Sequence, residues 1–232
     1  MKKKVLLICD SHGTDWGAKG YANQLKSILS KGIQLDILTF AGVSLKKIEK
    51  EIFVFLKDED FYNHIFIGLG NVDVHPRMPI TLMRKCRDIG LKVCREGLFT
   101  LPPKLSFSYL LRFPFFLHKR LLLFFFKESY ATDIEIKKSI KNIITKMNME
   151  NTSNIHMLPL LEVKRVFYGN WHNLRVREIN RWLKSDFGNI LIKNNIFSID
   201  NYKQQFNDDG FHFKDIFHEQ IAKCILSIVN KE

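Results

Sequence analysis

Several features that would classify this chain quickly are missing from it. Its four cysteines, Cys9, Cys86, Cys94 and Cys224, include no CxxC pair, and no histidine stands at zinc-ligand spacing from Cys86 or Cys94. A zinc knuckle is therefore not expected, and free thiols in a reducing compartment are. No Ser/Pro/Gly-rich linker, low-complexity tract or internal repeat divides the 232 residues. One domain over 1–232 is expected, long enough to bury a sizeable core. Neither GxGxxG nor a phosphate-loop lysine follows the first apolar run, which argues against nucleotide binding. No helix-turn-helix, zinc-finger or RNA-binding signature occurs, so nucleic acid is not an expected partner. Long apolar runs are also scarce. The first, 5–9, follows a basic start but is too short for a signal peptide, and it enters polar residues without a small-residue cleavage site. The expected location is the cytoplasm.

Acidic residues are outnumbered: 36 Lys and Arg against 24 Asp and Glu give a net charge of +12. Such a charge suits an anionic partner, whether nucleic acid, a phospholipid surface or an acidic polymer. A lysine- and asparagine-rich proteome would write the same surface without any partner, so the charge alone does not choose.

Short apolar runs at 5–9, 35–40, 64–69 and 155–161 read as buried strands. Between and after them, apolar spacing predicts helices over 16–29, from Ser44 to about 56, and over 132–147, 173–187 and 214–229. The first has Tyr21, Leu25, Ile28 and Leu29 on its apolar face. The third has Ile134, Ile136, Ile140, Ile143 and Ile144. The last should pack Ile216, Ile221, Cys224, Ile225 and Ile228 on the sheet. Residues 195–199 read as a short strand or turn. Strands alternating with helices predict an α/β fold, three layers deep (α/β/α) around a parallel sheet. An aromatic and basic segment is inserted at 100–130, with Arg112, Lys119 and Arg120 among its phenylalanines and leucines. It is too interrupted for a membrane span. A lid or cap over the core is the preferred reading, and contact with a membrane surface through 105–126 is the alternative.

Parallel sheets carry their sites at the carboxyl ends of the strands. Asp10-Ser11, Gly42 and Gly70-Asn71 each follow a strand directly, so all should meet on one rim. Acyl transfer by serine needs a hydroxyl, a base for its proton and donors aimed at the oxyanion. Ser11 supplies the hydroxyl. The N–H groups of Ser11 and Gly42 and the side-chain amide of Asn71 supply the oxyanion donors. His212 is the candidate base, and Asp209 the carboxylate that fixes its tautomer.

These blocks resemble the SGNH, or GDSL-type, hydrolases. Cys9-Asp10-Ser11 matches Gly-Asp-Ser. Gly42 in FAGVSL matches the second block, and GLGNVD matches Gly-x-Asn-Asp with Asn71. DGFHFKDIFHEQIA matches the last block with Asp209, His212 and His218. The order is the family's and spans almost the whole chain. The resemblance implies an α/β/α, flavodoxin-like fold with Ser11, Asp209 and His212 as catalytic residues and no metal or organic cofactor. It also implies an oxyanion hole of Ser11, Gly42 and Asn71. GNVDVHPR is further similar to a block in relatives from bacterial surface-polysaccharide loci. Three positions depart from the pattern. Cys9 replaces Gly, Val72 stands at the Asp of the third block with Asp73 beside it, and Phe217 replaces Gly before His218.

Plain alternatives exist for each block. Asp10-Ser11-His12-Gly13 taken alone is an Asx turn or N-cap, and Gly42, Gly70 and Asn71 are ordinary loop residues. His218 reads as structural. Asp10, His12, His75 and Arg77 lie on the rim side as candidate substrate contacts. For His75 and Arg77 a solvated loop is equally expected, and Asp73 could pair with Arg77. Taken together, the blocks predict a serine esterase or deacetylase acting on an acylated carbohydrate, with an anionic or lipid-linked glycan among the candidates. An O-acetyltransferase with the same triad is the runner-up. A basic binding protein with a decayed triad is third.

Overall fold

The computed structural model describes residues 3–15, 17–58, 61–75, 127–149, 154–207 and 209–231, with isolated positions between 88 and 125. Four short, largely apolar segments form a parallel sheet: β1 (Lys3–Cys9), β2 (Ile33–Thr39), β3 (His64–Gly68) and β4 (Ile155–Met157), in the order β2-β1-β3-β4. Val5 to Cys9 and the whole of β3 are buried, as expected of strands covered on both faces. Alternate side chains feed two cores. Leu6, Ile8, Ile65 and Ile67 pack against α2 (Leu45–Asp58), α4 (Asp133–Met149) and α5 (Arg165–Asp186). Val5, Leu7, Cys9 and Phe66 pack against α1 (Tyr21–Ile28) and α7 (Asp215–Val229). Each fully buried Leu or Ile contributes about 1.5–3 kcal/mol by leaving water. The result is the expected three-layer α/β/α fold.

β2 and β3 pair with opposite edges of β1. The strand order therefore reverses at β1, and the crevice at its carboxyl end is where such sheets bind ligands. Ser11 follows β1 and α3 (Asn71–Val74) follows β3, so both open onto that crevice.

Several boundaries differ from those read in the sequence. The helix expected from residue 16 starts at Tyr21, because residues 17–20 first cross back over the Ser11 turn: Asp15 accepts the Gly20 N–H at 2.8 Å and Gly13 O accepts the Ala22 N–H at 3.2 Å. The strand expected over 155–161 stops at Met157. Leu158 N–H still donates to Ile67 O of β3 at 2.8 Å, and past it the backbone bonds to side-chain amides. Asn180 takes Leu160 N–H and gives to Leu160 O, and Asn173 does the same for Val163 (2.8–3.0 Å). α5 starts at Arg165, before the expected 173, because Tyr168 and His172 extend the buried stripe of Val176, Ile179 and Leu183 by two more turns. Residues 195–199 form a 3-10 turn (Asn195–Phe197) leading into α6 (Ile199–Tyr202). α4 opens with a full capping box: Glu135 accepts from Thr132 N–H (2.8 Å) and Thr132 Oγ1 accepts from Glu135 N–H (3.2 Å). Three residues assigned to apolar faces are exposed, Ile28 at 37%, Ile134 at 79% and Ile216 at 56%; Phe217, buried, takes the place of Ile216.

The cap or lid expected at 100–130, its membrane contact at 105–126, and Cys86, Cys94 and Arg77 lie outside the described residues, apart from isolated positions and 127–130. No helix among the described residues is long and apolar enough to cross a membrane.

Candidate active site

The turn after β1 is compact. Asp10 N–H donates to Gly68 O at 3.0 Å, and Gly13 N–H donates to Asp10 O at 3.0 Å, closing a tight turn around Ser11. The Cys9 thiol packs where a Gly13 side chain would stand. Cys9 therefore fits in place of the family's glycine because the crowding is relieved at Gly13.

The second participant comes from the far end of the chain. Asn207 and residues 209–213 form a tight loop held by Asn207 N–H to His212 O (2.8 Å) and by Lys164 N–H to Gly210 O (2.8 Å). Tyr168 Oη donates to Asp209 O at 3.0 Å. On this loop Asp209 Oδ1 accepts the N–H groups of Phe211 and His212, each at 2.9 Å, which fixes the plane of the carboxylate. Its other oxygen, Oδ2, lies 2.6 Å from His212 Nδ1. With Nδ1 protonated toward Asp209, His212 Nε2 carries the lone pair, and it lies 3.3 Å from Ser11 Oγ. The sequence-predicted Ser11, His212 and Asp209 thus form one relay across 201 residues of sequence separation.

Electrostatics suit a base. Burial drives the His212 imidazole below the ordinary 6.5, and the neighbouring His12 adds to that, while Asp209 and Asp10 pull the other way. Burial would raise the Asp209 carboxyl, but its hydrogen bond and charge attraction to His212 and the two backbone N–H groups hold it below the usual range. Asp209 stays ionised and His212 stays free to accept a proton.

Asn71 opens the short helix α3. Its Nδ2 donates to Asp10 Oδ2 at 3.0 Å, its backbone N–H donates to the same oxygen at 3.2 Å, and its Oδ1 accepts Leu161 N–H at 2.8 Å. Both ends of the amide are thereby fixed, and Nδ2 keeps one proton for another acceptor. Gly42 stands in the loop between β2 and α2 with φ +70°, and its Cα faces open space. That loop is tied to the Ser11 strand by Phe40 N–H to Cys9 O at 2.8 Å. Asp73 fastens α3 to the same region: its carboxylate accepts Leu45 N–H, the first of α2, at 3.1 Å from each oxygen. This is the contact that the third block's displaced acid makes here.

The remaining candidates among the described residues, Asp10, His12 and His75, turn inward. Asp10 and His12 are 1% and 2% exposed, and both carboxylate oxygens of Asp10 bond to protein donors. His75 is buried, its ring 4.2 Å from Phe211 and 5.2 Å from Tyr168, so it does not stand in a solvated loop. The sequence did not single out Tyr168, which braces Asp209 from α5; its only signal was its place in the helical stripe. His218 is buried on α7, 6.2 Å from the Tyr21 ring.

No family model matches the sequence, and no curated protein does. Solved structures do match the fold. A lipase from a goat rumen metagenome aligns with a TM-score of 0.57 at 12% identity, over 97% of this chain and 96% of that one. A lipase/acylhydrolase from Enterococcus faecalis gives 0.55 at 10% identity (98% and 95%). An acetylxylan esterase from Geobacillus stearothermophilus gives 0.54 at 15% identity (98% and 95%). The chain thus has the fold of the GDSL-type lipases and esterases along nearly its full length.

Proposed function

We propose that this chain is a serine esterase of the SGNH type that removes an acyl group, acetyl in the first instance, from a carbohydrate. The observation that carries the reading is the relay itself, with 3.3 Å from Ser11 Oγ to His212 Nε2 and 2.6 Å from His212 Nδ1 to Asp209. A decayed site would have no reason to keep Asp209 bonded by two backbone N–H groups and its imidazole. The acetyl and sugar parts rest on the acetylxylan esterase among the structural neighbours. Hydrolysis is favoured over transfer because the neighbours described above are named lipases, acylhydrolases and esterases.

The mechanism follows from the atoms in place. His212 Nε2 takes the Ser11 proton as Oγ attacks the ester carbonyl. The oxyanion is met by the Ser11 and Gly42 N–H groups and the remaining Nδ2 proton of Asn71. The C–O bond to the sugar breaks, and the leaving alkoxide takes the proton from His212. Water then attacks the acyl-Ser11 ester with His212 as base again, releasing the carboxylic acid and restoring Ser11. Asp209 stays ionised throughout and steadies the imidazolium.

Treatment with a fluorophosphonate tests this directly. Intact mass should show one adduct on the wild type and none on Ser11→Ala or His212→Ala, and the wild type should release acetate from an acetylated xylo-oligosaccharide. A folded wild type with no adduct and no turnover would refute the reading.

A further inference from the structure

His12 is a buried imidazole that the relay does not use. His12 lies behind the site, 2% exposed, with its ring 5.4 Å from that of His212. Its Nδ1 is 3.3 Å from Asp10 Oδ1, and its Nε2 is 3.2 Å from the carbonyl of Phe211. Its own backbone N–H donates to Asp10 Oδ1 at 3.0 Å. Both ring nitrogens therefore face acceptors only, and the ring is fully bonded when each carries a proton. The two acceptors belong to different halves of the site. Asp10 orients the Asn71 amide through its other oxygen. Phe211 sits between Asp209 and His212, and its N–H is one of those that fix the Asp209 carboxylate.

We infer that His12 is a positioning residue that clamps the nucleophile turn and its oxyanion amide to the loop carrying the base, and that its ring, 5.4 Å from that of His212, shapes the surroundings of the base. The inference rests on the serine-esterase reading only for its kinetic consequence. The clamp itself is a matter of hydrogen bonds and charge. The groups that face His212 are Asp209 from its own loop, Asp10 and His12 from the β1 turn, and His218 from α7. Those that face His12 are Asp10, His212, His218 and, from α5, His172 with Arg175 behind it. Asp10 and Asp209 raise the affinity of His212 for its proton, and His12 opposes them. Removing the ring should therefore move the His212 titration to higher pH.

The test compares wild type, His12→Phe, which keeps the bulk without the donors, and His12→Gln, which keeps a donor without the ring. The His212 imidazole is titrated by NMR, with His212→Gln to assign its signal, and the fluorophosphonate rate is followed in parallel. Both His12 variants should titrate His212 at higher pH than wild type. Labelling at neutral pH should fall by about tenfold or more in His12→Phe and by less in His12→Gln. If a folded His12→Phe or His12→Gln shows an unmoved His212 titration, the inference is wrong, whatever the labelling rate. An unreactive wild type in which the His12 variants still shift the titration would overturn the esterase reading and leave the clamp standing.

Discussion

At the residue scale the site depends on directions rather than on proximity. Asn71 could present either its oxygen or its nitrogen to a substrate. Leu161 N–H takes the oxygen and Asp10 takes one nitrogen proton, so only a donor is left to point outward. Asn71→Ala should lower turnover of an acetyl ester about 10²–10³-fold, the cost of losing one oxyanion donor. Steady-state kinetics with a matched Tm check this, and a fall under threefold would remove Asn71 from the oxyanion hole. His212 sets the acid limb. Because burial depresses it below 6.5, ester turnover by the proposed reaction should keep its rate as pH falls through 6.5 and lose it only below. An acid limb centred above 6.5 would contradict the buried, free-base geometry. The triad residues and Asn71 were legible in the sequence because each stands at a fixed place after a strand or before the closing helix. The role of Asp10 was not, since an acid beside a nucleophile reads equally as a substrate contact. Only its two hydrogen-bonding oxygens, one toward His12 and one toward Asn71, separate those readings.

At the element scale the sheet and helices were readable wherever an apolar period existed, and they went astray where side chains replaced backbone partners. β4 was read too long because residues beyond Met157 are apolar and extended. The backbone N–H groups of Leu160, Leu161 and Val163 go to Asn180, Asn71 and Asn173, a substitution that no apolar period records. α5 was read too short because Gly169 and the run of aromatic residues obscure a helical stripe. The junction of α2 and α3 makes a prediction of its own. Asp73 is buried, and burial with the charge of Asp10 raises its carboxyl from 3.8 to about 7, against the pull of Leu45 N–H and Arg175. A group raised on folding binds protons more tightly in the native state, so its penalty grows as pH rises from 3.8 through 7. Asn at this position keeps an oxygen for Leu45 N–H without the charge. Asp73→Asn should therefore be more stable than wild type at pH 8, by about 2 kcal/mol or roughly 4–8 °C in Tm. At pH 4.5 the gain should shrink to less than half. Thermal melts at the two pH values decide it, and a variant destabilised at pH 8 would show that the ionised carboxylate is what α2 needs.

At the scale of the whole molecule, buried histidines set the response to acid. Burial lowers His172 to about 3 and His218 to about 4, from 6.5 in the open chain. The unfolded chain therefore takes up protons below 6.5 that the native state refuses. Their contribution is complete above 6.5 and is lost as pH falls toward 4 and then 3. Asp73 works in the opposite sense over an overlapping range, but it is one group against two. The net expectation between pH 7 and 4.5 is a loss on the order of 2 kcal/mol. Urea midpoints measure this, and greater stability at pH 4.5 than at pH 7 would contradict the burial of these rings.

The relay joins Ser11 to a histidine 201 residues later. During synthesis at about 5–20 residues per second, the serine is added to the chain roughly 10–40 s before its base. Until then the nucleophile is an ordinary alcohol on an unfinished sheet. On the proposed reading, a ribosome that stalls before His212 releases a chain without its base, which has no relay with which to cut an ester. The order of the chain acts as a safety catch that is released only once the loop carrying the base has been made.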